Sequence, residues 1–114
     1  MYLYVLIMIK KIYSKVDPKI LLNIIYINER NEEKVDSIKR SEISETDNFL
    51  QAISYVLPEK TIIKPHKHNI QERKSNHTHE VCLVFKGEIE LSVFDIDNKL
   101  VETNILNEGD CSII

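Results

Sequence analysis

Cysteine, glycine and arginine are all scarce in this chain, and each shortage removes a class of function. The 114 residues include two cysteines, two glycines and 15 Lys plus Arg, of which only Arg30, Arg40 and Arg73 are arginine. Cys82 and Cys111 lie far apart inside apolar runs, which excludes a disulfide framework and a CxxC metal knuckle; both read as buried thiols. With a net charge of -3 and so few forked guanidinium donors, the chain lacks the basic surface of a nucleic-acid module or of a protein held on anionic lipid. No apolar run is long. Met1 to Ile9 (MYLYVLIMI) falls short of the roughly 20 residues that span a bilayer, and no positive segment precedes it and no small-residue cleavage site follows. It reads as an extra strand, or as sequence ahead of a natural start at Met8. These features predict a cytoplasmic protein with one compact domain and no membrane or nucleic-acid partner.

The chain changes character near residue 48. Asp17 and Pro18 resemble an N-cap and first helical residue, and Ile20, Leu21, Ile24 and Ile27 recur at helical spacing, so the sequence predicts a short N-terminal helix, although Ile24 to Ile27 (IIYI) would also suit a strand. Asn28 to Asp47 is polar and mixed in charge and reads as a solvated connection. After Asn48 the periodicity is that of strands: Phe49 to Leu57, Thr61 to Lys64, an alternating Val81 to Asp95 around Gly87, Leu100 to Leu106, and a last strand opening at Cys111 after the turn Asn107 to Asp110. Short strands with frequent turns predict an all-β sandwich or small barrel. Because a strand has just opened where the sequence stops, the barrel is expected to be incomplete at its C-terminus, as a truncated product or one completed by a neighbouring subunit.

All four histidines fall between residues 66 and 79, as the H-x-H pairs His66/His68 and His77/His79. On a strand, residues i and i+2 project from one face, so two imidazoles can meet one ion. Neutral imidazole suits zinc, iron, nickel or manganese, and a carboxylate shifts preference toward harder metals. Alternation points Glu80 away from His79 and toward an adjacent strand, so His66, His68 and Glu80 form the expected ligand set. His77 and His79 stand at the mouth as second-choice ligands or substrate contacts, or simply as solvent-exposed loop residues. Pro65 keeps the approach to the first pair extended.

These residues resemble the cupin family. PEKTIIKPHKH is similar to the strand and H-x-H that begin the first cupin motif, Glu80 and Gly87 match the E-x6-G that ends it, and LNEGD (106–110) resembles the turn that opens the second. The likeness covers Phe49 to Ile114 and is nearest to small single-domain cupins found among surface-polysaccharide and nucleotide-sugar genes. It implies a double-stranded β-helix (jelly-roll barrel) over 49–114 with the second motif cut off, preceded at 1–48 by a strand or helix and the polar connection. It also implies one divalent metal ion (Zn, Mn, Fe or Ni). The spacing from His68 to Glu80 is longer than in the motif, no glycine precedes Thr61, and the later His ligand is missing.

Three functions are compatible with this reading. The first is a metal-binding cupin that recognises a sugar or nucleotide sugar, with a sugar isomerase or epimerase as its catalytic form. There His79 or His77 would transfer a proton, and Tyr55 would touch substrate unless it belongs to the core. The second is a non-catalytic assembly module, a homodimer with a vestigial metal site, which the apolar Met1 to Ile9 run favours. The third is dioxygenase chemistry at a His/carboxylate iron site.

Overall fold

β-Branched residues concentrate where this chain pairs its strands. The computed structural model describes residues 7–28, 35–45 and 48–114. Among them it contains eight strands and no helix: β1 (Ile7–Tyr13), β2 (Leu21–Asn28), β3 (Lys39–Glu42), β4 (Ile53–Val56), β5 (Val81–Leu83), β6 (Ile89–Phe94), β7 (Leu100–Leu106) and β8 (Cys111–Ile113). The expectation of an all-β chain is met. No helix is long and apolar enough to cross a membrane among these residues. All strand pairs are antiparallel, in a four-stranded sheet of order β1-β2-β8-β5 and the separate pairs β3-β4 and β6-β7. Among the described residues the sheets do not form a closed barrel, and what stands of the expected jelly roll is an all-β, antiparallel architecture. Contacts divide the chain into two units, residues 1–31 with 79–114, and residues 32–78.

The first unit holds the four-stranded sheet and the β6-β7 hairpin. Its core is Ile12, Ile25, Val84, Val93 and Leu106, with Leu22, Ile27, Leu91 and Val101 packed against it. Ile25 and Leu106 are completely buried; truncating such a residue to alanine removes both transfer energy and packing, about 2–5 kcal/mol. The expected helix after Asp17 is instead β2. Asp17 caps a tight turn, accepting the Lys19 N–H at 3.1 Å on its carboxylate and the Ile20 N–H at 3.0 Å on its carbonyl. β2 then lies between β1 and β8, so consecutive residues Asn23, Ile24, Ile25 and Tyr26 are all buried. A strand covered on both faces loses its alternation, and its continuous apolar run mimics a helical period.

Two carboxylates organise the ends of these strands. Asp95, at the β6-β7 turn, accepts the Ser14 hydroxyl at 2.5 Å, the Ile96 N–H at 2.8 Å and the Lys15 N–H at 2.8 Å. The Ser14 oxygen in turn accepts the Val16 and Asp17 N–H groups at 3.1 and 3.0 Å. This node pins the end of β1 to the hairpin. Asp110 is 2 % exposed and accepts the Asn28 and Asn107 N–H groups, each at 2.8 Å. It closes the turn Asn107 to Asp110, where Gly109 has φ of 86°. The Gly109 N–H donates to the Val84 carbonyl at 2.8 Å, and the Val84 N–H donates to the Asp110 carbonyl at 3.0 Å. That is a G1 bulge, which needs a glycine at its first position and turns β8 into register with β5.

The second unit is smaller. β3 pairs with β4 from Lys39↔Val56 to Glu42↔Ile53. Ser44 is buried beside it, its hydroxyl donating to the Leu50 carbonyl at 3.0 Å and accepting the Ala52 N–H at 2.7 Å. β3 rises within the stretch read as a solvated connection. Its exposed Lys39, Arg40 and Glu42 hide the strand from a hydrophobicity pattern.

The Ser14 hydroxyl, and after it the Ile96, Lys15 and Val16 N–H groups, hold the Asp95 carboxyl below its ordinary value of 3.8, against the opposing effect of burial. A depressed folded pKa contributes stability above the unfolded value that is lost as pH falls through the folded one. Thermal unfolding of Asp95→Asn should therefore fall furthest below the parent near neutral pH, and the gap should narrow as pH drops below roughly 4. A gap that stays constant from neutral to acid would contradict this node.

Candidate functional site

His66 and His68 lie in an extended stretch without regular structure between β4 and β5. Thr61 to Lys64 does not form the expected strand: Pro58, the Thr61 hydroxyl bonded to its carbonyl at 2.6 Å, and Pro65 hold it as turn and extended chain instead. The two imidazoles nonetheless share a neighbourhood, their ring centres 5.4 Å apart at an interplanar angle of 65°. An imidazole nitrogen ligates a divalent ion at about 2.1 Å, placing its ring centre about 3.2 Å from the ion, so two rings on adjacent tetrahedral positions stand about 5 Å apart. The observed pair is close to that spacing. His66 Nδ1 lies 3.4 Å from the Lys64 carbonyl, a contact that a proton on Nδ1 would satisfy, which would leave the lone pair of Nε2 open.

His68 also lines a cleft of about 700 Å³ in the second unit, with Phe49, Gln51, Lys67, Asn69, Gln71 and Arg73. Arg73 is oriented by donating to the Asn48 carbonyl at 2.6 Å and to Gln71 Oε1 at 3.4 Å. Its walls are amides, one aromatic ring and two cations, a lining that suits an anionic, hydroxyl-rich small molecule. Sequence reasoning placed none of these residues except His68. The available signal was Lys67 between the histidines and Arg73 in the loop that follows.

The remaining candidates stand elsewhere. His77 is exposed, with its N–H donating to the Ser75 hydroxyl at 3.1 Å. His79 is half-buried and Glu80 exposed, and both belong to the first unit. The Glu80 N–H and carbonyl pair with Ile114, and its side chain shares a cleft of about 640 Å³ with Val81, Cys82, Leu83, Leu91, Ser112 and Ile114. Among the described residues, no three His, Cys, Asp or Glu side chains gather closely enough to form a complete ligand set. Tyr55 sits on β4, 47 % exposed, and is not a core residue. Lys10 on β1 pairs with Glu102 on β7 inside the first unit, and nearby Asn23 Oδ1, Asn104 Nδ2 and Ser112 Oγ are buried without partners. No family model, no curated protein and no solved structure matches this chain.

The cysteines separate by position. Cys111 is buried on the inner strand β8, and burial first, then the Asp110 carboxylate and Cys82, push its thiol above its ordinary value of 9.0. Cys82 is exposed, which corrects the expectation that both are buried: it sits on β5, an outer strand whose residues are all exposed. The folded protein should therefore react with one equivalent of a thiol reagent, at Cys82, and a second should appear only in denaturant. Two equivalents in the native state would show β8 to be open.

Proposed function

We propose that this protein is a metal-binding β domain of cupin type that recognises a small polar ligand, a sugar or nucleotide sugar of the sort used in surface-polysaccharide metabolism. The 5.4 Å approach of the His66 and His68 rings carries this reading, because this edge-on pair stands close to the separation of two imidazoles on one ion. Those two residues would hold the ion, with water or the bound ligand filling its other positions. Bound there, a divalent ion would polarise a hydroxyl or carbonyl of the ligand. Lys67 and Arg73 line the cleft beside His68 and would take the ligand's phosphate or other anionic group, Arg73 through its planar fork. Phe49 offers a face for a sugar ring or base, and the amides of Gln51, Asn69 and Gln71 match hydroxyls. His77 and His79 are the proton carriers proposed for a catalytic form, as an isomerase or epimerase. Binding is the function proposed here, and turnover is not required by it.

Calorimetric titration of untagged protein with zinc should show one ion per chain. His66→Ala and His68→Ala should each weaken binding by roughly tenfold or more, the usual effect of losing a group that holds a metal. Zinc affinity unaltered in the His66→Ala/His68→Ala double variant would remove the proposal. With zinc present, Arg73→Ala should lower affinity for a nucleoside diphosphate sugar and leave zinc affinity unchanged.

A further inference from the structure

β5 is an outer strand of the four-stranded sheet, and no strand of the described residues pairs with its open side. The bonds it makes to β8 show which backbone groups face that side. Glu80 and Ile114 exchange both N–H···O bonds, at 3.4 and 3.0 Å, and Val84 bonds to the Gly109–Asp110 bulge. In an antiparallel ladder the bonded residues alternate, so Glu80, Cys82 and Val84 turn their amides inward. Val81, Leu83 and Phe85 turn theirs outward. The same three residues are 52 %, 61 % and 87 % exposed. Such an edge is a template for another strand, and proteins that keep one unpaired blunt it with charge. β1, the opposite edge, has Lys10 and Lys11 at mid-strand; β5 has no charge between Glu80 and Lys86.

Those two flanking charges identify the strand that fits. Read antiparallel against itself about Leu83, the segment Glu80 to Lys86 is self-complementary. Leu83 faces Leu83, Val81 faces Phe85, Cys82 faces Val84, and Glu80 faces Lys86 at both ends. The outward residues are the ones this register joins by hydrogen bonds, so the pairing satisfies every open N–H and C=O of the edge. We propose that two copies of this chain associate through β5, antiparallel about a two-fold axis at Leu83, with the Glu80–Lys86 pairs setting the register. The inference uses the backbone groups of β5 and the charges that flank it, and neither His66 nor His68 takes part in it.

Sedimentation velocity over a micromolar concentration series tests it. The wild-type chain should pass from 13.4 kDa to twice that mass. Glu80→Lys and Lys86→Glu each place like charges opposite one another at both ends and should weaken the dimer by roughly tenfold or more, while the double exchange Glu80→Lys/Lys86→Glu should restore it. Leu83→Pro removes an outward N–H without touching the ladder to β8 and should give a monomer with an unchanged far-ultraviolet spectrum. In a Cys111→Ser background, the two Cys82 thiols stand diagonally about 7–8 Å apart at the backbone, within reach of a short bismaleimide, which should yield a covalent dimer. A monomer at all concentrations, or charge variants that associate as the wild type does, would overturn the proposal. The His66→Ala/His68→Ala double variant should still dimerise. Loss of the dimer in that variant alone would place the association at the metal and overturn the β5 pairing.

Discussion

The buried carboxylate of Asp110 is the interaction on which the four-stranded sheet depends. It takes N–H groups from Asn28, at the end of β2, and from Asn107, in the turn before β8, so one side chain fixes the angle at which the last strand leaves the turn. β8 then runs between β2 and β5 and is the sole link between them among the described strands. Removing this acceptor frees two part-buried N–H groups, at up to about 1–3 kcal/mol for each that water does not reach. The position of β5 follows from that placement. Among the described strands β5 pairs with β8 alone, and Glu80 is held by its backbone bonds to Ile114.

The proposed functions fall on two kinds of scaffold. The histidine pair and its cationic cleft sit on extended chain in the second unit, where backbone hydrogen bonds are few and the side chains are exposed. Glu80 and the self-complementary edge sit on a sheet locked by Asp110. In the proposed reading, the sheet would supply an assembly surface, and the loop would supply groups that can adjust to a small molecule. The part-exposed ion pair of Lys10 with Glu102 links β1 to β7 within the first unit and adds little to its stability.

Much of the second half was legible because its strands show one face to solvent. Leu100 to Leu106 was read as a strand and is β7, and Asn107 to Asp110 was read as a turn and is one, because glycine and asparagine there serve a left-handed φ and a tight reversal. Val81 to Asp95 was read as one alternating run and is two strands, divided where Gly87 takes φ of 94°. β2 was misread because it is covered on both faces, and β3 was missed because it is covered on almost neither. Thr61 to Lys64 has the composition of a strand without a neighbour to pair with, and composition does not report on neighbours. For the site, the H-x-H pairs were visible as a cluster, and the approach of His66 to His68 survives without the strand that motivated it. Arg73 and Phe49 escaped notice because a cleft is assembled from residues distant in sequence, here joined by the Asn48 carbonyl that Arg73 binds.

Amide hydrogen exchange compared between the wild-type chain and Asp110→Ala tests the central placement most directly. In the wild type, the Ser112 and Ile113 amides should be protected as well as those of Ile24 and Ile25, since one sheet holds them all. In Asp110→Ala, protection should fall first in β8 and β5 while β1 and β2 retain theirs. If the Ser112 and Ile113 amides of the wild-type chain exchange as fast as those of the exposed stretch around His66 and His68, β8 is not the inner strand and the account fails.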